Sequence, residues 1–595
     1  MSNVVFSNYG GEWMRANAGA IDDKDNIDNE EKEDKPTQAD MLVDIGLTNC
    51  YLFIDQHGIA YARTVLKPSD NFDSSDTTYA APFIVEEKEK NNNKKCNNKE
   101  ADVSAVNAVK YRFATMPLQS SQFKEWIAER MHTLKNKTPG SGSINSAITT
   151  LSGIARKRNI RHRLYNRVAP DLDGNGFWID MCDKDWRVIH ITEEGWEIKE
   201  KTPVPMFRHF KQGPLPTPVK VKREATAALR LLNFLNLKND VDRVIAICSI
   251  ISFFIPEIEH PALNASGPRG SAKSIFFECI KKIIDPLTQN PETETISMSS
   301  DELGLAQQLY HIYFPCFDNV SSLTSWKSDM LCRAVTGAGV SKRRLYTDDE
   351  DFLYQFYRCI GLNGINVAVR KSDLMDRLIL FKFDRFYEFE TKQKKVIYAE
   401  FENERGKILG AILAILSKAI RLEKEIKLTS HKRLADFHKW GCAISQALGY
   451  GVEQFNDAYT RKHDIQNEEV LNASSIALAF IGYLKENFDY VQQESDDGLI
   501  KCTLEKTSTE WFREVTGFAR KEGIKTSKGY WAGDTSHFVR KLNEIKPNLE
   551  KVGITIQSYS DGSSRSLIVD VTELMSKSTR KSKGDSFWDK ALEGR

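Results

Sequence analysis

The run Gly267-Pro268-Arg269-Gly270-Ser271-Ala272-Lys273-Ser274 holds the residue types that bind a polyphosphate. It matches G-x-x-x-x-G-K-[ST] at every fixed position except Ala272, which stands where the second glycine belongs. Backbone N–H groups of such a loop wrap the β-phosphate, while Lys273 neutralises the γ-phosphate. The Ser274 hydroxyl holds Mg²⁺, and the following helix points its positive end at the anion. ATP and Mg²⁺ are therefore the expected cofactors, with residues 267–274 as the cradle. The Ala272 methyl forbids a positive φ, which is harmless if that position is helical.

A nucleotide-hydrolysing site also needs a carboxylate for the metal, and Asp318 closes the apolar run 310–317. Asn319 follows; it can orient a water but cannot take its proton as a glutamate would. Asn363 closes a second apolar run, 357–362, and fits a sensor of the γ-phosphate or the attacking water. Arg377 precedes Leu378-Ile379-Leu380-Phe381, where it can reach a neighbouring subunit's nucleotide. An arginine supplied in trans is worth roughly 10³–10⁵ in rate. Between these groups lie Lys342-Arg343-Arg344, on the first arm of a β-hairpin whose turn is Thr347-Asp348-Asp349-Glu350. The three cations can grip DNA phosphates or pair with the acidic turn, and both readings stand.

The elements that must position these groups follow from patterning. A short strand (261–264) enters the loop, and an amphipathic helix leaves it with Ile275, Phe276, Cys279, Ile280 and Ile283 on one face. Residues 244–255 are an apolar run shorter than the ~18 residues a membrane span needs, so a buried helix is expected there. A helix over 325–335, the hairpin's second arm at 352–356 and strands before Asp318 and Asn363 complete an α/β layer between 219 and 459. Upstream, strands at 51–54 and 58–62 flank an Asp55–Gly58 turn. A helix at 120–135 and strands near 163–165, 177–180 and 187–189 follow. Asp171-Leu172-Asp173-Gly174-Asn175-Gly176 begins like a calcium loop but lacks the glutamate at position twelve, so a hairpin turn is expected. Downstream, helices at 473–487, 507–522 and 535–552 precede a hairpin of strands 554–556 and 566–569. That order predicts a winged helix, with Arg540 and Lys541 facing phosphates or, on the other reading, a protein-contact module.

These elements group into an acidic leader (1–40) without structure, an α+β N-terminal domain (41–200) with a polar insert (86–102), and a Pro-rich linker (201–218). An ATPase domain with helical lid (219–465), a winged-helix domain (466–575) and a flexible tail (576–595) follow. A chain of 595 residues with 41% hydrophobic and 28% charged residues is an ordinary multidomain globular protein. Its formal net charge of +1 exerts no global pull on nucleic acid, so a DNA site must be a local patch. Ten cysteines without a C-x-x-C pair indicate neither a zinc ribbon nor a disulfide framework, and the first residues lack a signal peptide's basic start and apolar middle; no export, a cytoplasmic location and no membrane partner are expected.

The order of phosphate loop, Asp-ended strand, basic hairpin, Asn-ended strand and Asp376-Arg377 resembles the core of AAA+ hexameric helicases of the MCM-like and superfamily III types. More narrowly, Phe317-Asp318-Asn319, Arg344-Leu345-Tyr346-Thr347-Asp348, Leu362-Asn363-Gly364-Ile365 and Asp373-Leu374-Met375-Asp376-Arg377 are similar to the self-loading replicative helicases of mobile genetic elements, such as cassette chromosome helicases. The likeness runs on through Asp185-Trp186-Arg187, Ile408-Leu409-Gly410-Ala411 and Ala435-Asp436-Phe437-His438, the last two in the lid. It implies a homo-hexameric AAA+ P-loop ATPase that binds ATP between subunits and translocates on DNA, single-stranded or forked, mainly through the backbone. Two other classes remain open: an ATP-switched initiator or regulator without unwinding activity, which Asn319 favours, and a helicase-primase.

Overall fold

The computed structural model describes residues 36–66, 112–288, 294–343, 351–354, 357–365, 372–385, 394–428, 432–488, 493–494, 499–527, 531–560 and 565–574. The insert 86–102, the tail 576–595, nearly all of the leader, Arg344 and the hairpin turn 347–350 lie outside these residues. The chain divides into two compact units: Met1–Arg167, Asp180–Ile189 and Ile198–Arg208 form the first, while Val168–Ile179, His190–Glu197 and His209–Arg595 form the second.

The first unit begins with α1 (Gln38–Asn49), which Thr37 starts through a capping box with Asp40. Strands β1 (Cys50–Ile54), β2 (Ala60–Leu66) and β3 (Arg112–Pro117) form an antiparallel sheet in that order. The β1–β2 turn is the expected one. Asp55 Oδ1 accepts from the His57 and Ile59 N–H groups at 2.9 and 2.8 Å, and Gly58 takes φ +78°. Helices α2 (Ser121–Lys135) and α3 (Ser141–Arg158) cover the sheet, and Phe123, Ile127, Ile148 and Leu151 join Leu42 and Leu52 in the core. Helices α1 and α3 were not anticipated, and residues 163–165 are not a strand: Tyr165 makes a single bridge to Met206.

Strands β4 (Val168–Pro170) and β5 (Gly176–Asp180) pair antiparallel around the 171–176 turn, where Asp173 Oδ1 accepts from the Asn175 N–H at 2.9 Å. That segment is a hairpin turn, as expected. Strands β6 (Val188–Thr192) and β7 (Gly195–Lys199) follow.

The second unit continues with α4 (Glu224–Leu229) and α5 (Asp240–Ser252), the latter buried along its length as its composition requires. Next come β8 (Ala262–Ser266), α6 (Lys273–Ile284), α7 (Glu302–His311), β9 (Cys316–Phe317) and α8 (Ser325–Thr336). The antiparallel pair β10 (Val340–Arg343) and β11 (Asp351–Tyr354) precedes β12 (Gly361–Gly364), α9 (Ser372–Met375) and β13 (Leu378–Lys382). The central sheet is parallel, in the order β13-β8-β12-β9. Its strands β8 and β12 are buried throughout, polar Asn264, Ser266 and Asn363 included, and only Lys382 at the end of β13 is exposed. The run before Asp318 is not one strand: residues 310–311 end α7, whose Leu305, Ala306, Leu309 and Tyr310 recur at helical spacing, and only Cys316–Phe317 joins the sheet. The strand before Asn363 likewise starts only at Gly361.

Three helices follow, α10 (Lys394–Glu423), α11 (Ala435–Leu448) and α12 (Val452–Ala473); all three pack on α5, and α12 also reaches this sheet. Helix α12 closes its β13 edge. Gln466 accepts from the Leu380 N–H at 3.2 Å and donates to the Leu378 carbonyl at 2.9 Å, which satisfies groups an exposed edge would leave unpaired. The C-terminal module contains α13 (Ser475–Phe488), β14 (Gln493–Glu494), β15 (Leu499–Thr507), α14 (Ser508–Lys521), α15 (Thr535–Glu550), β16 (Ile554–Ser560) and β17 (Arg565–Leu574). Its sheet order is β14-β15-β17-β16, around a core that includes Trp511, Phe538 and Leu542. The three helices and the hairpin fall where expected; β15 was not foreseen. No helix among the described residues is long and apolar enough to cross a membrane.

Candidate nucleotide site

The loop between β8 and α6 turns on three residues with positive φ: Gly267 (+148°), Gly270 (+79°) and Ala272 (+63°). A Cβ on Gly267 would lie 2.2 Å from the Phe383 carbonyl oxygen, so only glycine fits there. Ala272 corrects the expectation of a helical backbone: it is left-handed, immediately before the first turn of α6. A glycine is favoured at this position because an L-residue in that conformation costs about 1–2 kcal/mol. Its alanine is held in place by the loop around it. Ser271 Oγ donates to the Pro268 carbonyl at 2.9 Å, Asn236 Nδ2 to the Ser271 carbonyl at 3.3 Å, and Phe276 N–H to the Ala272 carbonyl at 3.0 Å.

Lys273 folds back over this loop. Its ammonium donates to the Gly267 and Pro268 carbonyls, both at 2.7 Å, and to Ser271 Oγ at 3.2 Å. Burial lowers its pKa from the ordinary lysine value, with the Asp318 charge acting in the opposite direction. Pro268, Arg269 and Gly270 form the exposed or half-exposed crest of the loop.

Asn363 joins the two sides of the site. Its Nδ2 donates to Asp318 Oδ1 at 2.6 Å and to Ser274 Oγ at 3.3 Å. Its Oδ1 is buried with no hydrogen-bond partner among the described residues. The sheet order explains the meeting: β12 lies between β8, which leads into the loop, and β9, which leads to Asp318. Asp318 is anchored by its own N–H to the Ile296 carbonyl at 2.9 Å and accepts from the Asn319 N–H at 2.9 Å. Asn319 is exposed, with φ +54°, a conformation asparagine tolerates.

The donor set fits a magnesium ion. A hydroxyl and one carboxylate beside an open loop leave positions for phosphate and water, as Mg²⁺ prefers, and the Asn363 amide that joins them has a buried Oδ1 without a partner among the described residues. Among the described residues no group of three or more His, Cys, Asp or Glu forms a metal cage.

Two groups hold this constellation that motif spacing did not disclose. Lys281 and Asp285, both fully buried, tie the far end of α6 to the segment before β9. Lys281 Nζ donates to the Phe314 carbonyl at 2.9 Å, and the Phe314 N–H donates to Asp285 Oδ2 at 3.0 Å. The second is Glu278, one helical turn from Ser274 on the same face of α6, buried and 3.3 Å from the Lys394 ammonium that begins α10. Both sit on the amphipathic helix as charged residues at core positions, which was the available signal.

Arg377 is not beside the loop. It is buried before β13 and donates to the carbonyl of Asp373 at 2.7 Å and to its carboxylate. Burial alone would raise the Asp373 carboxyl; the Arg377 guanidinium outweighs it and holds the group below its ordinary value. Lys342 and Arg343 lie on β10, opposite Phe352 and Asp351 of β11, so the arms of the expected hairpin pair as arms.

Residues 226–467 match the model of the actinomycete integrative conjugative element replication protein family. Residues 493–582 match that of the AICE RepA C-terminal domain. The chain resembles mobile-element replication proteins. No curated protein matches it. Among solved structures, the A form apo structure of the NrS-1 C terminal region is 14% identical, covering 90% of this chain and 99% of that one, at a TM-score of 0.36. The JCV helicase is 12% identical, covering 39% of this chain and 67% of that one, at a TM-score of 0.22. At these scores neither likeness establishes a shared fold.

Proposed function

We propose that the chain is an ATP-driven DNA helicase or translocase of the AAA+ class that acts as a homo-hexameric ring in the replication of a mobile element. The observation that carries this reading is the Asn363 amide spanning Ser274 and Asp318, because a phosphate loop, a metal acid and a polar sensor on three different elements converge on one point. The family matches supply the replication context.

Bound Mg²⁺ would be held by Ser274 and Asp318 and would neutralise charge on the β- and γ-phosphate oxygens. Lys273 exchanges the Gly267 and Pro268 carbonyls for phosphate oxygens, a favourable swap of neutral for anionic acceptors. Asn363 keeps Asp318 and Ser274 oriented through Nδ2, so its amide senses the state of the γ-phosphate side of the site. Asn319 positions the attacking water without accepting its proton. Arg377, in the reading that assigns it to a neighbour's nucleotide, must first leave Asp373, so ring assembly and release of that pair are coupled. The cations Lys342, Arg343 and Arg344 grip a strand by its phosphates, as the winged-helix module's Arg540 and Lys541 can.

Strand displacement on a forked duplex with ATP tests the proposal. Wild type displaces the strand, while Lys273→Ala and Arg344→Ala do not. A second reading, an ATP-switched initiator, is favoured by Asn319 standing where a catalytic glutamate would act. It predicts nucleotide binding and assembly on DNA with slow hydrolysis that DNA does not stimulate and no displacement.

A further inference from the structure

The first unit carries an unassigned cationic surface. From Arg130 to Arg167 there is no aspartate or glutamate and there are nine lysines and arginines, although a stretch of that length would hold about five acids at the chain's average. Seven of these cations are exposed in the structure, and five of the seven, Arg156, Lys157, Arg158, Arg161 and Arg163, fall within eight consecutive residues.

Their placement is built rather than incidental. Asn159, at φ +50°, ends α3 by donating its N–H to the Ala155 and Arg156 carbonyls, so the last turn of the helix presents Arg156, Lys157 and Arg158. The chain then runs extended beside the end of β1, with Ile54 N–H donating to the Ile160 carbonyl at 2.9 Å and His162 N–H to the Ile54 carbonyl at 3.0 Å. Alternation along this segment turns Arg161 and Arg163 outward, while Leu164 is buried and Ile160 and His162 are half-buried. Arg161 Nε is braced by Asn159 Oδ1 at 3.1 Å, and the Arg163 guanidinium lies 5.3 Å from the Tyr165 ring.

The helix dipole favours cations at the end of α3, but it gives no reason for Arg161 and Arg163 or for the exclusion of acids over the whole stretch. Solvated surfaces ordinarily mix both signs. The exposed face of α3 leading to the cluster is uncharged and polar, with Asn145, Ser146, Thr149 and Thr150, and has no apolar side chain to enter a bilayer. We infer that this surface, the end of α3 and the extended 160–163 segment, is a nucleic-acid binding site that contacts the phosphate backbone. It is distinct from the hairpin of the nucleotide-binding unit and does not depend on nucleotide.

The test is fluorescence anisotropy of the full chain, without nucleotide, on a labelled single strand and a labelled duplex across a salt series. Replacing Arg156, Lys157 and Arg158 together by alanine should weaken binding at least tenfold at low salt and reduce the slope of log K against log salt by roughly 2. Arg156→Lys with Arg158→Lys should bind like wild type, since phosphates read charge. Thermal unfolding and ATP hydrolysis without DNA should not change. Unaltered affinity and slope in the triple alanine variant would overturn the inference, as would equal loss in the lysine variant. Loss of binding to phosphatidylserine vesicles with DNA binding intact would also overturn it. Because nucleotide is absent throughout, these outcomes are separate from the failure of the motor reading, which shows in strand displacement.

Discussion

Asn363 Nδ2 stands 2.6 Å from Asp318 Oδ1, and the same nitrogen reaches the Ser274 hydroxyl at 3.3 Å. One amide therefore references the Asp318 carboxylate after one strand to the hydroxyl on the loop helix, and its own Oδ1 is buried without a partner among the described residues.

Replacing Asn363 tests that role. Asn363→Ala should lower kcat for ATP hydrolysis about 10²-fold, the scale of removing one oriented polar contact in a reacting site, with KM changed little. Asn363→Asp should be at least as severe, because it sets a second negative charge beside Asp318. Steady-state kinetics at saturating Mg²⁺ decide it, and an unchanged kcat in either variant removes Asn363 from the mechanism.

The left-handed backbone at Ala272 leads to a stabilising substitution. Ala272→Gly relieves about 1–2 kcal/mol of conformational strain and gives back part of it as unfolded-state entropy, for a net gain of up to about 1 kcal/mol. The urea midpoint should rise with an unchanged m-value. Ala272→Val, β-branched, should instead weaken nucleotide binding and lower the midpoint.

The residues that the structure brings together at Asn363 are legible in the sequence because their signals are local. Gly267, Lys273 and Ser274 are set by spacing, and Asp318 and Asn363 close apolar runs. What those runs were was less legible. Residues 310–311 look like strand in isolation, yet they finish a helix whose apolar period starts at Leu305. The left-handed backbone of Ala272 belongs to a loop held by Asn236 and by Ser271, and the partner of Arg377 comes from the short helix that carries Asp373; neither is written in residue type. Helix α3 was missed because its stretches of Ser, Thr and Gly resemble a linker, and its identity comes from Ala147, Ile148, Leu151 and Ala155 packing inward.

Lys281 and Asp285 supply a stability prediction. Both side chains are fully buried, and removing one leaves the other uncompensated. Lys281→Met should cost about 3–5 kcal/mol, and Lys281→Met with Asp285→Leu should recover a large part of it. Chemical denaturation of the two variants checks this. A double variant as unstable as the single one would mean that the hydrogen bonds to Phe314, not the charges, carry the contact.

His260 predicts acid sensitivity. It is buried, donates through Nε2 to the Ile255 carbonyl at 2.9 Å and has no acceptor for a proton on Nδ1 among the described residues, and burial pushes its pKa down to about 4. The unfolded state therefore binds the proton first: the contribution is complete above the unfolded value near 6.5 and is lost as pH falls toward 4. That loss is roughly 2–3 kcal/mol. A stability–pH profile should show a fall across this window that is reduced in His260→Gln; an identical profile in the variant would assign the fall elsewhere.

The most direct test of the central claim is Mg²⁺-dependent ATP hydrolysis by the purified chain, with and without forked DNA, beside Lys273→Ala. The proposed motor function predicts hydrolysis that DNA stimulates and that Lys273→Ala abolishes while the variant stays folded. Hydrolysis by wild type no faster than by Lys273→Ala, at any DNA concentration, would contradict it.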